Sequence, residues 1–227
     1  MIVLLDAEIH TGWLTGVLLN IARGGAEWVL WLLIALSLVS FALFMERLNF
    51  LRTVSTDVER IRQTLMKAVP DGIDAALATL KDDNSMQARV IAYGLRDAER
   101  GPDAVAELCR GALGMERLRY ERGLAVLATI GSNGPFIGLF GTVMGVIMAF
   151  DQLRTASAAA DTGQSSAVMG AIAEALIATG VGLLVAIPAI LFFNILKSRV
   201  KGHISTTNLL VDTMIAYLRS ESRSNGG

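Results

Sequence analysis

Charged positions vanish from three stretches of this chain, and the gaps between charges predict its architecture. From Trp28 to Met45 no charge interrupts an apolar run that Glu27 opens and Glu46-Arg47 closes. A second run, Gly123 to Phe150, lies uncharged between Arg122 and Asp151. A third, from about Ala167 to Leu196, carries one charge, Glu174, before Lys197 ends it. A bilayer core of about 30 Å takes roughly 20 apolar residues as helix. A helix also satisfies its own backbone polar groups in lipid. The pattern thus predicts an all-α membrane protein with transmembrane helices at 28–45, 123–150 and 167–196. These leave an N-terminal segment 1–27, a polar segment 46–122, a link 151–166 and a tail 197–227.

Composition agrees with that reading and orients it. Of 227 residues, 53% are hydrophobic, and the mean hydropathy of +0.52 is too apolar for an ordinary soluble domain. The formal net charge of −1 hides an uneven distribution. Segment 46–122 carries 13 of the 20 basic residues and the tail from Lys197 five, while Arg23 and Arg154 stand alone. By the positive-inside rule, 46–122 and the C-terminus face the cytoplasm, and the N-terminus and the link face the periplasm. The 13 basic residues of 46–122 are interleaved with 13 acidic ones, which argues against nucleic-acid binding.

The polar parts read as helices continuous with the spans. Pro102 suits a helix start, and from there to Phe150 the reading expects one rod of 49 residues, on the order of 70 Å. Pro70-Asp71-Gly72 and Lys81-Asp82-Asp83-Asn84 read as turns between shorter helices. After the third span the helix is expected to continue past Lys197 toward Arg219, with Gly202 a weak point. Near the N-terminus, Ile9, Trp13, Leu14, Val17, Leu18 and Ile21 form one apolar face. It suits an amphipathic helix on the outer leaflet or a short helix packed on a partner.

Glu174 leads the candidate chemistry. A carboxylate at membrane depth costs at least ~2.5 kcal/mol on insertion scales and usually marks an ion or proton path. The competing roles are snorkelling to the outer surface and capping a helix start after Gly170. Thr142 and Thr179 lie at similar depth, each about 27–29 Å from the cytoplasmic end of its helix. Their hydroxyls can donate and accept, relaying protons or holding a cation; back-bonding to a carbonyl one turn earlier is the alternative. Glu174 and Thr179 are about 140° apart on an ideal helix, so one pore takes both only through an irregular helix or an interface.

Gly131, Gly134, Gly138, Gly141 and Gly145 recur at 3-4-3-4 spacing along one stripe. Gly182, with Ala175, Ala178 and Ala186, offers small residues in the third run. Such stripes let helices approach closely in lipid. A phosphate loop is excluded, since neither the lysine nor the strand it needs is there. Pro135 and Pro188 are expected to kink their helices. Cys109 is the only cysteine, and His10 and His203 have no cysteine near them, so neither a disulfide nor a zinc site is expected. No nucleophile–base pair or nucleotide motif stands out. The expectation is no enzyme, no catalytic residue, no metal and no cofactor, with the transported ion, H⁺ first, as the one small species handled.

The stretch Leu127-Ala-Thr-Ile-Gly-Ser-Asn-Gly-Pro-Phe-Ile-Gly-Leu-Phe-Gly-Thr-Val143 resembles the second span of the ExbB/TolQ/MotA family. Ile172-Ala-Glu-Ala-Leu-Ile-Ala-Thr-Gly-Val-Gly-Leu-Leu-Val-Ala-Ile-Pro-Ala189, with Asn194 after it, resembles the third. Length and span number point to the ExbB/TolQ branch. The resemblance implies an inner-membrane ring, a pentamer, around the membrane helices of an ExbD- or TolR-like single-span partner. A TonB- or TolA-like third component would pass the work of the proton motive force to the envelope, in outer-membrane transport, envelope integrity or gliding. It implies that the family's pore carboxylate falls on Glu174 and its polar threonines on Thr142 and Thr179. It also implies that the glycine stripe serves subunit packing and a smooth lining. The alternatives from other classes are a stand-alone cation channel or transporter and a structural membrane scaffold.

Overall fold

A computed structural model describes residues 27–54, 58–156 and 164–224. The amphipathic N-terminal stretch and most of the link therefore lie outside the described residues. Among the described residues seven α-helices run in order: α1 Glu27–Thr53, α2 Val58–Asp71, α3 Ile73–Leu80, α4 Met86–Arg96, α5 Pro102–Glu121, α6 Leu124–Ala156 and α7 Gln164–Ser224. A 3₁₀ turn, Ala98–Arg100, links α4 to α5, and no strand occurs among the described residues. Of these helices α1, α6 and α7 are long and apolar enough to cross a membrane.

The expected rod from Pro102 to Phe150 is two helices. Arg122 leaves the helix with ψ 132° and Gly123 takes φ +80°, a left-handed conformation that glycine adopts without a Cβ penalty. The run Arg117–Arg122 ending in glycine is a helix-stop signal, hidden by the many glycines that follow. Gly72, at φ +109°, separates α2 from α3. Pro70, expected in the turn, falls in the last turn of α2. α7 runs on through Gly202 for 61 residues.

The chain divides into two compact units. One comprises Ala128–Ile190 and the described part of Met1–Phe41. Here the glycine stripe of α6 meets small residues of α7. A methyl group on Gly134 would lie 3.1 Å from the Ala186 Cβ, and one on Gly145 would lie 2.6 Å from the Ala175 Cβ. The expected use of the stripe between subunits is thus occupied inside one chain, by α6 against α7. Val29 and Leu33 of α1 close the core with Ile130, Val185 and Ala189, and Trp28 meets Phe140 edge-on at 6.0 Å. Trp31, Leu38, Phe136 and Leu184 point outward, an apolar exterior that lipid or another apolar chain accepts at no cost. Pro135 and Pro188 both lie inside uninterrupted helices.

The other unit, Ala42–Leu127 with Leu191–Gly227, holds a continuous core around Leu65, Ile91, Leu95, Leu196 and Met214. Ser85 caps α4 by accepting from the Ala88 N–H, as expected of an N-cap serine. The Met86 N–H, among the unpaired donors of that helix start, donates to the Tyr120 hydroxyl at 2.9 Å. Phe44 stacks on Phe192 at 4.1 Å. Cys109 is buried, and its thiol is pushed up to about 11 by that burial. It is a packing residue, not a nucleophile.

Candidate ion site in the membrane helices

The close approach of α6 and α7 sets the heights of all three candidate residues. Along the antiparallel seam Gly131 faces Ile190, Gly134 faces Ala186, Gly138 faces Gly182 and Thr179, Gly141 faces Ala178, and Gly145 faces Ala175. Extending that register by ~1.5 Å per residue puts Thr142 level with Ala178, one residue from Thr179. Glu174 is four residues further along, about 6 Å in height.

Direction separates them. At ~100° per residue, Thr142 and Thr179 lie roughly 50–60° off the seam on the same flank, and Glu174 about 90° off on the other. The contacts agree: Gly138 meets the Thr179 Cα, whereas Gly141, turned the other way, meets Ala178 and Val29 of α1. Thus α1 packs on the same side of the seam as Glu174, at the height of Gly141. The two threonines come together at one height, and within one chain Glu174 does not join them. Because α7 is regular α-helix throughout, an irregular turn does not close the 140° gap.

The polar atoms differ in how they are satisfied. Thr142 donates to the Leu139 carbonyl at 2.6 Å, three residues back, where the sequence alternative was the carbonyl four residues back. The Thr179 hydroxyl oxygen is buried with no hydrogen-bond partner among the described residues. So is Oε1 of Glu174, on a half-buried side chain. The helix begins at Gln164, ten residues earlier, so Glu174 lies about 15 Å along it and caps nothing. A buried carboxylate oxygen without a partner is costly unless a proton, a cation, water or a second chain supplies one.

Ser132 and Asn133 escaped the sequence reading. Both are exposed inside the second apolar run, and the Asn133 amide donates to the Thr129 carbonyl at 2.9 Å and the Ser132 hydroxyl at 3.3 Å. Their signal was visible: consecutive polar residues in a stretch otherwise suited to lipid.

Residues 82–208 match the model of the MotA/TolQ/ExbB proton channel family. The Tol-Pal system protein TolQ of Pseudomonas aeruginosa is 32% identical over 183 residues, spanning 74% of this chain and 76% of that protein. TolQ of Haemophilus influenzae is 30% identical over 186 residues, spanning 77% and 80%. The biopolymer transport protein ExbB of Neisseria gonorrhoeae is 44% identical over 94 residues, spanning 40% of each chain.

Proposed function

Since this chain belongs to the MotA/TolQ/ExbB proton channel family, we propose that it is the ring subunit of an inner-membrane motor of the ExbB/TolQ type. In this reading Glu174 takes up and releases the driving proton. The observation that carries it is the Glu174 Oε1 atom, buried in a membrane helix with no partner among the described residues. An interface with a neighbouring copy supplies the partner that the regular helix denies it. Thr142 and Thr179, on the flank that α1 leaves open, line the aqueous path.

The subunit closes as a pentamer around an ExbD- or TolR-like single-span protein, and a TonB- or TolA-like component carries the work outward. Unit Ala42–Leu127 with Leu191–Gly227 faces the cytoplasm, the side that holds 18 of the 20 basic residues. A membrane potential offers roughly 2.3 kcal/mol per charge per 100 mV, so several protons per cycle suffice for a mechanical step.

Glu174→Gln keeps the size and removes titration. It is expected to abolish energised envelope function, read as outer-membrane uptake or envelope integrity in a complemented deletion strain, while the complex still copurifies. Full function in that variant overturns the role of Glu174. A proton leak through this chain alone in liposomes, equal to that with its single-span partner present, favours a stand-alone channel.

A further inference from the structure

We propose that the pocket between the end of α1, α4 and the middle of α7 binds a phosphate-bearing anion through Arg52, Arg199 and His203. The cavity is about 550 Å³ and no carboxylate lines it among the described residues. That absence is unusual in this chain. Among the described residues eight arginines are ion-paired, including Arg89 with Glu116 at 3.0 Å and Arg219 with Asp103 at 2.9 Å. Arg52 and Arg199 have no ion-pair partner among the described residues, and both open onto this one cavity. Two unpaired guanidiniums presenting forked N–H groups favour a multivalent oxyanion, phosphate above carboxylate.

The pocket floor adds a donor. The Gln87 amide nitrogen donates to Nδ1 of His203 at 3.2 Å. The ring proton then sits on Nε2 and the imidazole offers an N–H. Burial holds His203 below the ordinary histidine value, so it serves as a neutral donor.

Arg52 lies seven residues beyond Met45, and Arg199 two beyond Lys197. Both fall within roughly 10 Å of the ends of the apolar runs. That is headgroup depth on the side the basic residues assign to the cytoplasm, where basic pockets between membrane helices hold anionic lipid headgroups. A soluble phosphate carries the same chemistry. Leu51, Arg52 and Val58 line the pocket yet precede the family-matched stretch, which starts at residue 82. The site is therefore not carried by that stretch alone.

The test uses the full chain in detergent as its native oligomer. Phosphatidylglycerol and inorganic phosphate are added separately and binding is read by native mass spectrometry. Phosphatidylglycerol is expected to bind, with R52Q/R199Q weakening it about tenfold. The charge-matched control R60Q/R96Q changes it less than twofold. If inorganic phosphate binds with the same arginine dependence and displaces the lipid, the pocket stands and its ligand is the soluble anion. Should the double variant fail to fold, R199Q alone is expected to lose about threefold. Unchanged binding in the arginine variants, or an equal loss in R60Q/R96Q, overturns the proposal.

Discussion

Gly138 of α6 sits so close to Thr179 of α7 that a methyl group added to it would lie 3.1 Å from the Thr179 Cα and 2.8 Å from the Ala178 carbonyl oxygen. The obstacle is backbone, which does not swing aside as a side chain would. The height and flank of Thr179 therefore depend on a residue with no side chain.

Gly138→Ala is accordingly expected to destabilise the α6–α7 pair by about 1–3 kcal/mol, the usual cost of overpacking. Gly111→Ala in α5 meets nothing within 4 Å and is expected to be neutral or to stabilise by up to about 1 kcal/mol through helix propensity. Thermal unfolding in detergent compares them; equal midpoints would show that the seam is looser than described.

The two threonines are expected to separate on substitution by valine. Thr142 already spends its proton on the Leu139 carbonyl, whereas the Thr179 hydroxyl oxygen is free of partners among the described residues. Thr179→Val should lower proton flux through the assembled complex about tenfold, and Thr142→Val about threefold or less, since a local back-bond is lost without changing the path. Flux in energised vesicles decides it, and the reverse order would move the path to Thr142.

Tyr120 is fully buried and accepts the Met86 N–H through its hydroxyl. Tyr120→Phe keeps the ring and leaves that buried donor unpaired, at an expected cost of about 1–3 kcal/mol. Chemical denaturation in detergent measures it. No loss would mean that water replaces the hydroxyl.

His203 gives the unit Ala42–Leu127 with Leu191–Gly227 a pH dependence of predictable sign. Burial depresses its folded value below 6.5, so in mild acid the unfolded chain binds a proton that the folded chain does not. The contribution of His203 is complete above about pH 6.5 and is lost as pH falls from there toward the folded value. Unfolding midpoints between pH 7.5 and 5.5 should fall for the native chain, and fall less for His203→Asn. Parallel curves would place the acid sensitivity elsewhere.

Three apolar helices and their order were legible from the chain alone. Each rests on a local fact: lipid forbids unpaired charge over about 20 residues, so a charge-free run or a lone exception can be read without knowing its neighbours. The glycine stripe was legible as a contact surface for the same reason, since its spacing is a property of one helix. What it contacts was not. That the stripe is consumed by α7 of its own chain, and that α1 covers one flank, depends on which helix arrives where. The break at Gly123 was missed because a glycine's φ is chosen by surrounding packing, and five similar glycines downstream stay helical. The placing of Thr142 level with Thr179 across the α6–α7 seam, and the gathering of Arg52, Arg199 and His203 around one cavity, are likewise tertiary facts. Periodicity assigns each side chain a direction on its own helix, and only the packing of several helices turns those directions into neighbours.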